Sequence, residues 1–537
     1  MENFLNDNDD ILFHLEYLDL DRIIRLKEED FAQADVFPYA PQDEKDARDS
    51  YRKVLEIVGQ ICAEYIAPAA PAVDEEGPVL ANNQVKLNPA TQKALDMFAQ
   101  ADLMGFCVPR QYGGINMPTT ILSIAAEITA RADASFLNFG LQQDIAETLA
   151  KFGSEEQKCA YLPRLCSGEW GSSMILTEPD AGSDLQAVNL KAVQSAVPGE
   201  EGTWYLSGVK RFITNGCGTI GLVLARSEER GKGARGLSFF LYERDDKMII
   251  RRLEHKLGIH GSPTCELQFN KAPAQLVGER QRGLTKYTIW LMNNARLGVA
   301  AQAVGIAEAA YREADLYAAK RVQFGAAIRC LPAVFEMLTE MKIAVEAGRT
   351  LLYETARFVD LKEGLEEYSD KHPEEKGGII EEKKKYAKLA GFFTPIVKAY
   401  TTEMANKVAY DAIQIHGGTG YMKEFNAERH YRDARITNIY EGTTQLQIVA
   451  AIGPVSSGAA QGIMDEYDKI DYAQGAEFLG KIRTARKLFD ETLEFIKAYK
   501  GHDQFLTYHS RRLVEMATDL ILSYLLLRDG VHSERKR

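Results

Sequence analysis

Three segments of this 537-residue chain carry residue types able to do chemistry: ILTEPDAGSDLQA at 175–187, RFITNG at 211–216, and QIHGGTGYMKEFNAERHYRDARITNIYEGTTQLQ at 414–447. The last holds a carboxylate, Glu441, between Tyr440 and Gly442. Such a group can take a proton if its surroundings are dry and the proton is close. Read singly, each segment also has a plain structural explanation. Pro179, Asp180, Ala181 and Gly182 suit a tight turn after a strand. ITNG suits a hairpin end. HGGTG suits a helix C-terminus and the loop after it, and a lone Glu in YEGT is more often at a surface than catalytic.

Positioning these segments needs a scaffold, and the texture of the chain supplies one. Residues 1 to about 45 read as an N-terminal arm in which Phe13, Leu15, Leu18, Leu20, Ile23 and Ile24 are spaced to pack on something. Residues 46–170 are helical in pattern. YRKVLEIVGQICAEYIAP puts Val54, Leu55, Val58, Ile61 and Cys62 on one face and is expected to stop at Pro68. ILSIAAEITARA and DIAETLAKFG read as shorter helices, the second capped by Gly153. From 171 to 282 β-branched residues, alternation and turns take over, and WYLSGVKRFITNG, GLVLAR, GLSFFLYER and TCELQFN read as strands. Long helical patterns return over 283–453 and predict a bundle. The charged stretch within it, 362–385, reads as an exposed loop or a helix extension. Residues 454–537 open with a linker, PVSSGAAQG, and carry two more helical patterns as a C-terminal extension.

Composition excludes some classes. Net charge is -13, which argues against a nucleic-acid partner. The seven cysteines, Cys62, Cys107, Cys159, Cys166, Cys217, Cys265 and Cys330, form no CxxC pair, so no metal site is expected and free thiols in a reducing compartment are. The start, MENFLNDNDDILFHLEYLDLD, lacks the basic opening and apolar run of a signal peptide. LILSYLLL near the other end is too short to span a bilayer. A cytoplasmic location and no membrane contact are therefore expected.

Taken together and in this order, the three segments resemble the acyl-CoA dehydrogenase family over about residues 46–453. The third is the most specific: Gln414, Gly417, Gly418, Gly420, Glu424, Arg429 and Asp433 match the family's second signature. The first signature departs at Ile175, where a small residue is usual. The longer members with a C-terminal helical extension, very-long-chain and methylthiopropanoyl-CoA dehydrogenases among them, are the subgroup it resembles. The resemblance implies an α+β multidomain fold: a helical N-terminal domain, a central β-barrel-like domain, a C-terminal four-helix bundle and the extension. It also implies a homodimer, with a tetramer as the other option.

The cofactor implied is FAD, between β domain and bundle, oriented and tuned by the protein. Met174, Leu176 and Thr177 would line the flavin. Ser183 would meet CoA or the flavin pyrophosphate, and Phe212 and Thr214 would lie beside the ring. Arg321, Gln323 and Phe324 would hold the ADP portion from a neighbouring subunit, with Gln414 and Gly418 in the same region and Thr443 and Gln445 completing the set. Glu441 matches the family's base for the α-proton of a CoA thioester. The enolate oxygen would be met by the base's own N–H and a flavin ribityl hydroxyl, an oxyanion-hole device. Tyr440 and Gly442 would flank the thioester. Arg296 would steady the carboxylate, and Asn293 and Asn294 would lie near CoA.

Some members carry the base on a bundle helix just before an Arg, but here Ala295 precedes Arg296, which supports Glu441. Two departures matter. Leu331 and Pro332 stand where the family often has His-Gln, and proline has no donor for FAD. Leu137 stands where glutaryl-CoA dehydrogenases carry an Arg, which favours an apolar acyl group. The activity implied is α,β-dehydrogenation of an acyl-CoA to the trans-2-enoyl-CoA in fatty acid β-oxidation, with electrons passed to an electron-transferring flavoprotein. The alternatives are an acyl-CoA oxidase using oxygen, a nitroalkane oxidase or desulfinase on the same scaffold, and a non-catalytic DNA-binding relative. Basic groups such as KIRTARK and the terminal RKR would serve the last, but Asp465, Glu466, Asp468 and Asp471 interrupt the basic character of this region.

Overall fold

The computed structural model describes residues 3–141, 144–228, 233–472, 475–499 and 501–536. Residues 1–2 of the arm and the last arginine of the terminal RKR lie outside them. The chain forms two compact units, one of residues 1–8 and 27–298, the other of residues 9–26 and 299–537.

In the first unit, helices precede a seven-stranded sheet. Its strands are β1 (Ser172–Ile175), β2 (Lys191–Gln194), β3 (Thr203–Thr214), β4 (Ile220–Arg226), β5 (Leu237–Glu243), β6 (Met248–Leu253) and β7 (Thr264–Leu276). The order β1-β4-β2-β3-β7-β5 returns on itself through a β4–β5 pairing, which makes the sheet barrel-like; β6 pairs with β7. Side chains alternate across a strand, and here both faces are apolar. Val223, Ala225, Phe240 and Tyr242 join one buried cluster with Trp204, Leu206, Leu267 and Phe269. Their neighbours Leu222, Leu224, Phe239 and Leu241 join another with helical residues such as Leu149, Leu162 and Leu291. Continuous apolar runs such as GLVLAR are thus strands buried on both faces.

The four strands expected are all present. TCELQFN is the first half of a longer strand that runs to Leu276, β1 is the strand expected ahead of the 179–182 turn, and β2 and β6 were not anticipated. The helix expected to stop at Pro68 does not. Glu44–Ile61 passes into a π turn, Cys62–Ile66, and on into Ala67–Glu76. The wider turn lets the Ala67 N–H reach the Cys62 carbonyl, and Pro68 falls at the start of the next helix, where its missing N–H has no partner to lose.

The second unit is helical. Its long elements are Ile289–Lys320 (from residue 299 onward), Pro332–Lys371, Lys376–His416, Thr444–Ser456, Ala476–Ala498 and His502–His532. The charged stretch 362–385 is no loop insertion but the ends of two helices joined by four residues. The expected linker at 454–462 is largely helical too. The 444–456 helix runs through Pro454 to Ser456, and the break comes at Gly458, in the left-handed region at φ 92°. The arm packs as its spacing implies: Phe13, Leu18, Leu20, Ile23 and Ile24 are buried and Leu15 is half-buried, with Ile11 buried as well.

Buried ion pairs bind the terminal helices to the rest of this unit. Arg349 reaches Asp10 and Glu308, each at 2.7 Å, and Arg535 reaches Asp10 at 2.8 Å. Glu354 takes Arg357 at 3.0 Å and Arg528 of the 502–532 helix at 3.1 Å. The seven cysteines are free. Among the described residues no helix is long and apolar enough to cross a membrane, and no His/Cys/Asp/Glu group could hold a metal ion.

Candidate active site

Within the first unit the structure brings the first two motifs together. After β1 the chain turns tightly, with Glu178 and Ala181 exchanging backbone hydrogen bonds at 2.9 and 3.2 Å. The Arg211 N–H donates to the Thr177 carbonyl at 2.9 Å, and the Lys210 ammonium donates to the Leu176 carbonyl at 2.7 Å. Lys210 is fully buried, and its charge is met by Glu178 at 2.9 Å. Burial pushes its pKa down to about 8 against the pull of that carboxylate. Glu178 in turn accepts the N–H groups of Asn189 at 2.8 Å and Leu190 at 2.9 Å, so one buried pair fixes the 176–190 turn against β3.

The pairing of β3 with β7 slips between Lys210 and Ile213, a bulge that holds Phe212 at φ 62° with its side chain 52% exposed. A bulge re-aims a side chain, and here it turns an aromatic ring outward at a left-handed residue. Met174, Thr177 and Thr214 are half-buried, Leu176 is buried and Ser183 is exposed. Arg296 donates to Asn293 at 3.0 Å, and Asn294 donates to Glu147 at 3.4 Å. Leu137 and Ala295 are buried.

Within the second unit, Arg321, Gln323 and Phe324 lie on a two-stranded hairpin of residues 322–323 and 326–327. All three are exposed, Phe324 by 93% and at φ 52°. Pro332 begins the next helix, where a missing N–H has no cost. Gln414 is exposed in the last turn of the 376–416 helix, and Gly417 ends that helix at φ 64°. Gly418 has open space where a side chain would begin, whereas a Cβ on Gly420 would lie 2.6 Å from that of His416.

Glu441 is half-buried in the loop between the Ala427–Thr437 and 444–456 helices. It stands at φ 53° and Gly442 at φ 89°. A left-handed conformation is uncommon for a bulky residue and persists only where its surroundings enforce it. Here Lys398 donates to the Gly442 carbonyl at 2.7 Å. Gln447 Nε2 donates to that carbonyl at 3.0 Å and to the Glu441 carbonyl at 3.3 Å. Downstream, the Thr444 hydroxyl donates to the Glu403 carboxylate at 2.6 Å, and Asn438 donates to the same oxygen at 3.4 Å. Half-buried Tyr440 donates its hydroxyl to Gln302; burial and then the Glu441 carboxylate push the phenol above its ordinary value. Thr443 is half-buried and Gln445 exposed. Lys398, Gln302, Glu403 and Gln447 were not anticipated from the sequence, because each sits in a helical stretch where a polar residue reads as a solvated face.

Comparison with known proteins agrees with this architecture. Profiles of the acyl-CoA dehydrogenase N-terminal domain, middle domain and C-terminal domain match residues 48–169, 173–272, and 282–372 with 379–451. A further acyl-CoA dehydrogenase C-terminal profile matches 456–536. The chain is 37% identical over 431 residues to a 3-methylmercaptopropionyl-CoA dehydrogenase of Ruegeria pomeroyi, a match covering 75% of this chain and 70% of that one. It is 34% identical over 352 residues to an acyl-CoA dehydrogenase of Bacillus subtilis, covering 64% and 84%. Among solved structures, butyryl-CoA dehydrogenase from Megasphaera elsdenii superposes with a TM-score of 0.65 at 29% identity, covering 76% of this chain and 98% of the other. With four successive domain profiles matched along its length, the chain belongs to the acyl-CoA dehydrogenase family.

Proposed function

We propose that the protein removes the elements of hydrogen from the α and β carbons of an acyl-CoA to give the trans-2-enoyl-CoA, with Glu441 as the base. The observation that carries this reading is the Glu441 loop. Its carboxylate-bearing residue is held at φ 53° by donors from two helices. A base must be positioned before it is useful, since the α-proton of a thioester is weakly acidic. Tyr440 and Gly442 flank the thioester in this reading, and Asn293 and Arg296 serve the substrate side.

The chain's residues suit FAD. Phe212 offers a half-exposed ring on a fixed bulge, which suits a flat apolar face, and Gly418 leaves space for a close approach of backbone to phosphate. Met174, Leu176, Thr177, Ser183 and Thr214 would serve the cofactor in the first unit, and Gln414, Gly418, Thr443 and Gln445 in the second. Arg321, Gln323 and Phe324 would reach the ADP portion of a second copy's cofactor in a homodimer. When bound, FAD supplies the acceptor for the β-hydrogen and its electron pair. An electron-transferring flavoprotein is the proposed onward acceptor, fatty acid β-oxidation the setting, and the cytoplasm the location. Buried Leu137 supports a neutral acyl group, and the substrate in the Ruegeria relative's name supports a short thioether or alkyl chain.

The test is anaerobic titration of the purified protein with acyl-CoAs from short to long and branched, following flavin absorbance at about 450 nm. Bleaching by one class, abolished in Glu441→Gln with FAD and thioester binding retained, is the expected result. A general base is worth about 10²–10⁴-fold in rate. Bleaching of the Gln variant at the wild-type rate refutes the base assignment, and no bleaching of the wild type by any member refutes the activity.

A further inference from the structure

Lys398 is wholly buried in the 376–416 helix, its relative exposure 0%. A buried ammonium is unfavourable unless its donors are met and its charge is useful, and an apolar residue of the same length would pack there more cheaply. The donor is met by the Gly442 carbonyl at 2.7 Å, one residue beyond Glu441. The same helix holds both flanks of the loop. Five residues on, Glu403 accepts from Thr444 and Asn438, and Asn406 donates to the Ala434 carbonyl at 3.0 Å. Gln447 supplies a neutral counterpart, gripping the Glu441 and Gly442 carbonyls without a charge.

We propose that Lys398 is a positioning residue for Glu441, with two separable effects. Its hydrogen bond enforces the left-handed turn that presents the carboxylate. Its charge, one peptide from the base, favours the ionised form and so sets the lowest pH at which the base is active. The proposal rests on Glu441 being the base. Among the described residues, other charged or titratable groups around the loop in this unit include Glu403, with Arg511 at 3.8 Å from it, Asp433, Tyr440, and Arg435, which donates to Asn438 at 2.5 Å.

Three variants separate the effects: Lys398→Met removes bond and charge, Lys398→Arg keeps the charge, and Gln447→Met removes only neutral contacts. Two readouts are needed: the rate of flavin reduction by saturating acyl-CoA across pH, and hydrogen exchange of the 440–444 amides, which does not depend on turnover. Lys398→Met is expected to slow reduction ~100-fold, the usual cost of a small misplacement, with KM little changed. Its acid limb should move up by ~1 pH unit, and the 440–444 amides should exchange faster while the sheet does not change. Gln447→Met should slow reduction and speed exchange with the acid limb unmoved, and Lys398→Arg should also leave the limb in place. Unchanged exchange in both Lys398→Met and Gln447→Met overturns the clamp. An unmoved limb in Lys398→Met overturns the charge effect. Should Lys398→Met not fold, Gln447→Met decides the clamp, and an acid limb in Lys398→Arg displaced as far as ~1 unit overturns the charge effect. If the wild-type flavin is not reduced by any acyl-CoA, the activity reading has failed, and the exchange data still decide the clamp.

Discussion

Replacing Glu354 by Gln should destabilise the second unit by about 3 kcal/mol at neutral pH, with an effect that fades in acid. Glu354 is buried, which alone would raise its pKa, but Arg357 and Arg528 outweigh burial and hold it near 2, against an ordinary 4.5. That difference corresponds to about 3 kcal/mol, at 1.36 kcal/mol per pKa unit. The same figure lies at the low end of the cost of breaking a buried ion pair, about 3–5 kcal/mol. A folded pKa below the unfolded one gives stability that is complete above 4.5 and is lost as pH falls toward 2. The assay is urea unfolding of wild type and Glu354→Gln, read by far-ultraviolet circular dichroism between pH 7 and 3.5. The gap should be flat from pH 7 to about 5.5 and smaller by about 1.4 kcal/mol at pH 3.5. Other carboxylates titrate in both proteins and cancel in the comparison. A gap under about 1 kcal/mol at pH 7, or one that does not shrink in acid, refutes the reasoning.

Other substitutions test other parts. Lys210→Met leaves the buried Glu178 without its cation, so thermal melting should show a loss of about 3 kcal/mol; an unchanged melt would mean the pair is replaceable. Phe212→Ala removes the outward ring, and peroxide formation during turnover should rise several-fold if that ring keeps water and oxygen from the reduced cofactor. Arg321→Ala should weaken FAD retention by ~10-fold on ultrafiltration if its guanidinium meets phosphate, and equal retention would remove Arg321 from the cofactor set.

Much of the fold is legible because strong patterns agree with their neighbours. GLVLAR and GLSFFLYER are strands buried on both faces, and the long small-residue helical runs are long helices. What escaped reading has physical reasons. KAVQ is four residues with one buried, too short and polar to announce a strand, and MIIRRL carries two arginines. Pro68 reads as a stop because sequence does not reveal that a π turn ahead of it will absorb the mismatch. In the site, the motifs around Thr177, Phe212 and Glu441 are visible because several residues must recur at fixed spacing. Lys398 is not, since a lysine in a helical run looks like solvated surface until the loop carbonyl above it is seen. Lys210 escaped for the same reason within a strand.

The placement of residues 9–26 in the second unit has a consequence for synthesis on the ribosome. This segment leaves the exit tunnel well before the groups that bury it. Asp10 waits for Arg349 and Arg535, and the apolar side chains of Ile11, Phe13, Ile23 and Ile24 wait with it. Residues 27–298 can collapse while translation continues. The helices of residues 9–26 must stay exposed, or be shielded by a chaperone, until the 502–532 helix and Arg535 have emerged. Translation stalled before residue 502 would release a chain whose opening segment lacks Arg535 and the rest of the final helix as partners.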